Sequence, residues 1–408
     1  MLKFFNKEFL SNFIGLSSIN IIGMLIPIIT MPYLSRVLGV NGYGTVLLFS
    51  TLSIFMLIII DYSTNITGVR DAAEKKGDKE ALNYVYSRYQ RIRFLLTLLF
   101  IPLSLIYCHF FIPGFSLLFY FEVMVASAVG YYLSAPWFHQ GTSTLKFFSL
   151  VTVATRILQL LLIFVFVKDH DSVSSAVRLN AYAFLIAGVI MYIYRLHRIK
   201  VKKISNTNSI GKDFKEGLDA FIGEFAPNLY SNIPPLVIGA IVSPMVFACY
   251  SIALRIINIA GSFQAIAAKS VYPMVVKGKS TLKALLLINL SLSAIPFIAI
   301  ILFRKEIIYL FLGQGYELAQ KYLLLCSPGI VLYSILCSFS YGFFLPQRLD
   351  THFKRISIIS SILPAVVCYP LIQIYHAYGA ILMLLMARLL FASLFAYYYF
   401  KLKKGSAI

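Results

Sequence analysis

The chain has 408 residues, 59% hydrophobic and 13% charged, with a net charge of +20 and a mean hydropathy of +0.81. So apolar a composition leaves nothing over for a separate soluble domain. Nucleic acid is excluded as the reason for the positive charge, because the basic residues follow a membrane topology and no stacking motif or RNA-binding fold accompanies them.

Apolar runs follow one another along the chain, at 12–34, 44–62, 94–112, 115–138, 147–167, 176–195, 217–241, 246–268, 283–303, 318–343, 355–375 and 378–400. Each can cross a hydrocarbon core of about 30 Å as a helix. The runs lack the in–out alternation of barrel strands, so the chain reads as an all-α integral membrane protein of twelve transmembrane helices. Several connections are only a few residues long, which makes neighbouring helices antiparallel. The first run has no small-residue cleavage site behind it and reads as a resident span, not a removed signal peptide.

Charge sorts the connections. Of the 36 Lys and Arg residues, 27 fall in the two termini and the even-numbered connections. Six lie on the opposite side: Arg36, Lys168, Arg178, Arg304, Lys305 and Lys321. The remaining three, Arg156, Arg255 and Arg388, lie inside spans. By the positive-inside rule both termini are expected in the cytoplasm, which requires an even number of spans.

Connection 2–3, from Arg70 to Glu80, is dense in both signs. It resembles an amphipathic helix on the membrane face beside anionic lipid, although a plain solvated helix would carry the same pattern. The outer connection Lys168-Asp169-His170-Asp171 is expected to solvate a turn, since no further His or Glu supports a metal there. His109, His139, His197, His352 and His376 stand alone in the sequence. Cys108, Cys249, Cys326, Cys337 and Cys368 show no metal spacing and read as small apolar helix residues. No metal site, cofactor or catalytic set is expected.

The polar stretch from Arg195 to Lys215 lies at half the chain length and divides six spans from six. The expected organisation is an N-terminal six-helix bundle at 1–200 and a C-terminal one at 201–408. A shift of 204 residues lays Arg36–Gly44 over Ala240–Ala248, with Gly39 on Ser243, Tyr43 on Phe247 and Gly44 on Ala248. Two halves with an even number of spans share one orientation, as parallel repeats do. Both first spans contain proline: Pro27 and Pro32 in one, Pro227, Pro234 and Pro235 in the other. Broken helices at matching positions point to a transport path, though proline is common in membrane helices generally.

Ionisable residues within spans are costly and face a cavity or a partner. Arg156 and Arg388 fall near mid-depth, and Arg255 in the outer half of its span. Guanidinium stays charged and grips phosphate bidentately, so the three suggest an anionic cargo. Arg36 joins them as a substrate-binding candidate. An internal ion pair, such as Arg255 with Glu122, is the structural alternative. Glu224, Asp219 and Glu122 are the carboxylates placed to carry a coupling ion.

Three strings then carry a family resemblance. Pro32-Tyr-Leu-Ser-Arg-Val-Leu-Gly39 with Gly42-Tyr-Gly44 resembles the end of the first helix in polysaccharide transporters of the O-antigen flippase type. That family lies within the multidrug/oligosaccharidyl-lipid/polysaccharide exporter superfamily. Asp61-Tyr-Ser-Thr-Asn-Ile-Thr-Gly-Val-Arg-Asp71 looks like its segment after helix 2, including Gly68 and Arg70. Pro136-Trp-Phe-His-Gln-Gly141, with Trp137 and Gln140, looks like its segment after helix 4. The second half matches more loosely, at Ile307–Gly313 and Tyr378–Ala380.

The resemblance implies a flippase in a bacterial inner membrane. It would carry undecaprenyl-pyrophosphate-linked oligosaccharide, such as an O-antigen repeat unit, from the cytoplasmic to the periplasmic leaflet, coupled to an ion. It also implies two bundles around a V-shaped, alternating-access cavity with a cationic lining. A polysaccharide polymerase and a chain-length regulator would be partners, beside membrane lipids. Two further readings stay open: a lipid II or multidrug exporter on the same fold, and a membrane-embedded polymerase or acyltransferase. Organic-cation export would favour buried carboxylates over arginines. An enzyme would need a converging acid, base or nucleophile.

Overall fold

The computed structural model describes residues 26, 28–199, 210–225, 229–276 and 281–405. Regular structure among them is helical. The described part of the first helix runs over 28–37 (α1). It is followed by α2 (Gly39–Asp61), α3 (Thr67–Glu74), α4 (Lys79–Phe111), α5 (Leu117–Ser134), α6 (Pro136–Gly141), α7 (Leu145–Phe166) and α8 (Val173–Tyr194). A π-helical turn, Arg195–Ile199, closes α8. Then come α9 (Ile210–Phe225), α10 (Leu229–Ile241), α11 (Pro244–Val276), α12 (Leu282–Leu312), α13 (Glu317–Cys326), α14 (Pro328–Phe339), α15 (Asp350–Tyr375) and α16 (Ala377–Gly405).

Among the described residues, 10 helical stretches are long and apolar enough to cross a membrane. They coincide with ten of the twelve expected spans. The expected span 12–34 lies largely outside the described residues. The expected span 217–241 is represented by the end of α9 and by α10, with 226–228 outside the described residues.

The chain divides into two compact units, Met1–Glu224 and Phe225–Ile408. Sequence alone places the division at residue 200. The difference is α9, which the first unit holds through Tyr62, just after α2, and Arg88 of α4. The second helix of each half begins at matching places: α2 at Gly39, α11 at Pro244, immediately after Ser243.

The fourth span of each half is broken before a proline. In the first unit the expected continuous span 115–138 is two helices, α5 and α6. Ala135 between them is left-handed, at φ 43°. Pro136 lacks an N–H and crowds the residue before it out of helical geometry. In the second unit Pro328 opens α14 one residue after α13 ends. Connection 2–3 is likewise two pieces, not one amphipathic helix over 70–80. The α3 helix ends at Glu74, and Asp78 starts α4 by accepting from the amides of Glu80 (3.0 Å) and Ala81 (3.1 Å).

Close crossings fix the helix pairs. A β-carbon on Gly188 of α8 would lie 2.1 Å from the Gly130 carbonyl oxygen of α5. In the second unit, a β-carbon on Gly379 of α16 would lie 2.1 Å from the Leu371 carbonyl oxygen of α15. Small residues let backbones approach where lipid offers no hydrophobic drive. The connection between α7 and α8 forms the expected turn, with the Ser172 hydroxyl donating to Asp169 Oδ1 at 2.5 Å. All five cysteines are buried and free.

Candidate functional site

Arg156 in the first unit and Arg388 in the second lie well inside spans and have only neutral partners among the described residues. In the first, Arg156 of α7 gives Nη1 to Gln159 Oε1 (2.7 Å) and to Asn180 Oδ1 of α8 (3.2 Å). Its guanidinium lies 4.7 Å from the centre of the Phe184 ring. In the second, Arg388 of α16 gives Nη1 to the Gly329 carbonyl (2.9 Å) and Nη2 to Asn258 Oδ1 of α11 (3.2 Å). Its guanidinium lies 5.0 Å from the Tyr333 ring centre. Arg388 is 4% exposed, and its Nε finds no acceptor among the described residues. The two settings share an asparagine oxygen and an aromatic face, and among the described residues neither includes a carboxylate. Amide oxygens and rings orient a guanidinium but leave its net charge whole. Such a group can still receive an anion.

The other expected cationic residues differ. Arg255 of α11 is half-buried and has no hydrogen bond or ion pair among the described residues. Arg36 is exposed at the end of α1 and is not free of interactions. The carboxylate candidates also separate. Glu122 is engaged by Arg178, Nε to Oε1 at 2.9 Å and Nη2 to Oε2 at 3.1 Å, and by the Tyr182 hydroxyl. Arg178, not Arg255, is therefore its partner. The side chains of Asp219 and Glu224 lie outside the described residues.

The motif strings after helices 2 and 4 prove to be one packed feature. A β-carbon on Gly68 of α3 would lie 2.9 Å from the Trp137 ring of α6, and one on Gly141 would lie 2.6 Å from Ala72 Cβ. Trp137, fully buried, joins Ala72, Val85, Tyr86, Tyr89 and Phe138 in a core cluster. Arg70 and Gln140 face outward; Arg70 pairs with Asp71 at 3.3 Å. Asp61 ends α2 and accepts from the Tyr131 hydroxyl (2.5 Å) and Asn65 Nδ2 (2.8 Å), with Arg93 Nη2 at 3.6 Å from its other oxygen.

Two arginines that sequence reasoning counted with the loops are wholly buried. Arg93 is 0% exposed and Arg195 1%. The break at Ala135 leaves the last four carbonyls of α5 without helical partners. Arg93 gives Nη2 to the Tyr131 carbonyl and Nη1 to the Tyr132 carbonyl, both at 3.1 Å. Arg195 gives Nη2 to the Leu133 carbonyl and Nη1 to the Ser134 carbonyl, the latter at 2.8 Å. Arg195 Nη1 also lies 3.0 Å from His139 Nε2, so His139 is not isolated. The signal in the sequence was Pro136, which stops a membrane helix and so demands donors for the carbonyls it strands.

The comparisons with known proteins follow this geometry. The family described as Polysaccharide biosynthesis protein matches over residues 9–279. A protein of Escherichia coli (strain K12) named "Putative O-antigen transporter" is 23% identical over 385 residues, covering 91% of each chain. One of Shigella dysenteriae with the same name is 22% identical over 374 residues, covering 90% of this chain and 93% of its own. Among solved structures, the lipid II flippase MurJ in an inward closed conformation superposes with a TM-score of 0.75 at 14% identity. It covers 95% of this chain and 87% of its own. A multidrug resistance MATE family transporter of the MOP superfamily gives 0.57 at 16% identity, covering 97% and 94%. At these identities the solved structures speak for the fold alone, a multi-helix membrane fold. The match over residues 9–279 spans well over half of the chain, which belongs to the polysaccharide biosynthesis protein family.

Proposed function

We propose that the protein is a flippase carrying undecaprenyl-pyrophosphate-linked oligosaccharide from the cytoplasmic to the periplasmic leaflet. The observation that carries this reading is the arginine in each unit, Arg156 and Arg388, whose partners among the described residues are neutral. A pyrophosphate would supply the negative charge that the protein withholds. The names of the curated relatives support a sugar-polymer cargo. In this reading both termini are cytoplasmic, as the distribution of Lys and Arg implies. A coupling ion would ride on a carboxylate, with Asp219, Glu224 and Glu122 the candidates. Arg36 and Arg255 would be secondary contacts. A polymerase and a chain-length regulator would act on the cargo after it crosses.

The test is deletion in a strain whose surface polysaccharide depends on this chain. Lipid-linked repeat units should accumulate and resist glycosidase added to spheroplasts, while surface polysaccharide disappears. Accumulated units that are open to the glycosidase would mean that flipping is intact and would sink the reading. Loss of peptidoglycan precursor export instead would reassign the cargo to lipid II.

A further inference from the structure

Helix α9 ends where the second unit begins, yet it is docked on the first. Three kinds of contact hold it. Arg88 of α4 gives Nε to Asp213 Oδ1 at 2.9 Å and Nη2 to Glu216 Oε2. The Tyr62 hydroxyl donates to the Phe214 carbonyl at 2.9 Å. The Tyr62 ring also stacks on Phe221, with centroids 4.8 Å apart, and meets Phe214 edge-on at 5.1 Å. Finally, Gly217 presses on the corner after α2. A β-carbon there would lie 3.0 Å from the Tyr62 ring and 3.2 Å from Ser63 Oγ.

That corner is strained and its seat is not filled. Tyr62 and Ser63 are both left-handed, at φ 38° and 66°. Residues with a β-carbon adopt this conformation at a cost, and successive examples persist only where neighbours enforce them. Beside the docked helix lies a cavity of about 60 Å³ bordered by Thr67, Arg70, Tyr89, Asp213 and Gly217. The outer part of the contact, Arg88 with Glu216, is reachable by water, with Glu216 49% exposed, while Asp213 is buried at 1%. A charged contact that borders a cavity can exchange its partners for water on opening, which an apolar helix seam cannot.

We propose that α9 is a reversible latch. In the state described here it is engaged on Arg88 and Tyr62. In another state of the transport cycle Arg88 releases Asp213 and Glu216, and the Tyr62–Ser63 corner relaxes. Release of strain at a docking corner is a recognised way of making an element bistable. The inference rests on the flippase reading for one of its two readouts.

The experiment pairs Ser63→Cys with Gly217→Cys. A β-carbon 3.2 Å from the partner's γ position suits a disulfide. In membrane vesicles, oxidation should cut transport of lipid-linked oligosaccharide at least about tenfold, and dithiothreitol should restore it; single-cysteine variants should be indifferent. Restoration on reduction separates locking from misfolding. Full transport by the cross-linked protein, or failure of the pair to cross-link, overturns the latch. Spin labels at the exposed positions Lys79 of α4 and Lys215 of α9 give a readout that needs no transport. A latch gives two distance populations; a single short distance also overturns it. If the wild-type protein moves no oligosaccharide in these vesicles, the flippase reading falls, and the label distances still decide the latch.

Discussion

Gly188 lies so tightly against Gly130 that α5 and α8 meet backbone to backbone, leaving no room for a methyl group. Gly188→Ala should therefore destabilise the protein by about 3 kcal/mol, since the obstacle is backbone and cannot rotate away. Gly211→Ala on α9, where nothing lies within 4 Å, is the control and should be neutral or slightly stabilising. Thermal unfolding of the two variants in detergent checks the difference. Equal melting temperatures would mean that the crossing is looser than described.

The span arginines should separate function from folding. Arg156→Ala and Arg388→Ala should each lower complementation of a flippase-null strain at least about tenfold at matched membrane levels. Lysine should rescue in part, since it restores charge without the planar fork. Arg255→Ala should have the smaller effect. Normal surface polysaccharide in both alanine variants would make Arg156 and Arg388 structural residues.

Arg93 and Arg195 should behave in the opposite way. Arg195→Ala takes the arginine donor from the Leu133 and Ser134 carbonyls of α5, whereas Arg93→Ala leaves the Tyr131 and Tyr132 carbonyls on Ser134 Oγ and Gln90 Nε2 but takes the cation from Asp61. A loss of about 3–5 kcal/mol is expected for Arg93→Ala, as for a buried charge pair broken on one side, and about 2–5 kcal/mol for Arg195→Ala, which leaves two carbonyls without their arginine donor. Yield and melting temperature by fluorescence-detected size exclusion measure it. A well-folded but inactive Arg195→Ala protein would contradict the capping role.

The contrast between these two pairs shows what the sequence made legible. Arg156 and Arg388 stood out because apolar residues surround them on both sides. Arg93 and Arg195 lie at the edges of apolar runs, where basic residues are expected in any case. Their partners are backbone carbonyls, which leave no side-chain signature. Span positions were legible because a helix needs about 20 apolar residues to cross. Helix lengths were not: α4 and α11 each run to 33 residues, since hydropathy reports only the part within lipid. The motif strings were readable as a family mark. Their joint packing through Gly68, Trp137 and Gly141 depends on Ala135 turning left-handed, which no pattern of polarity records.

The packed motif gives a prediction of its own. Trp137→Ala should cost about 3–5 kcal/mol through the void it leaves under α3. Arg70→Ala, at an exposed ion pair, should change stability by less than about 0.5 kcal/mol. Denaturant or heat midpoints decide it. Destabilisation by Arg70→Ala as large as that of Trp137→Ala would give Arg70 a structural role not visible in its contacts.

Glu122 is satisfied by a bidentate arginine and a tyrosine, with both ionic partners partly exposed at 30% and 40%. Glu122→Gln should therefore cost under about 1 kcal/mol and leave transport near wild type. A transport loss of about tenfold or more at unchanged melting temperature would place the coupling ion on Glu122.

The capped end of α5 has an electrical consequence. A helix C-terminus carries about half a negative charge, and here it meets two whole guanidiniums with Asp61 nearby. Guanidinium keeps its proton across the physiological range. This end of the first unit thus holds a fixed polarisation, a partial negative helix end faced by two whole positive charges.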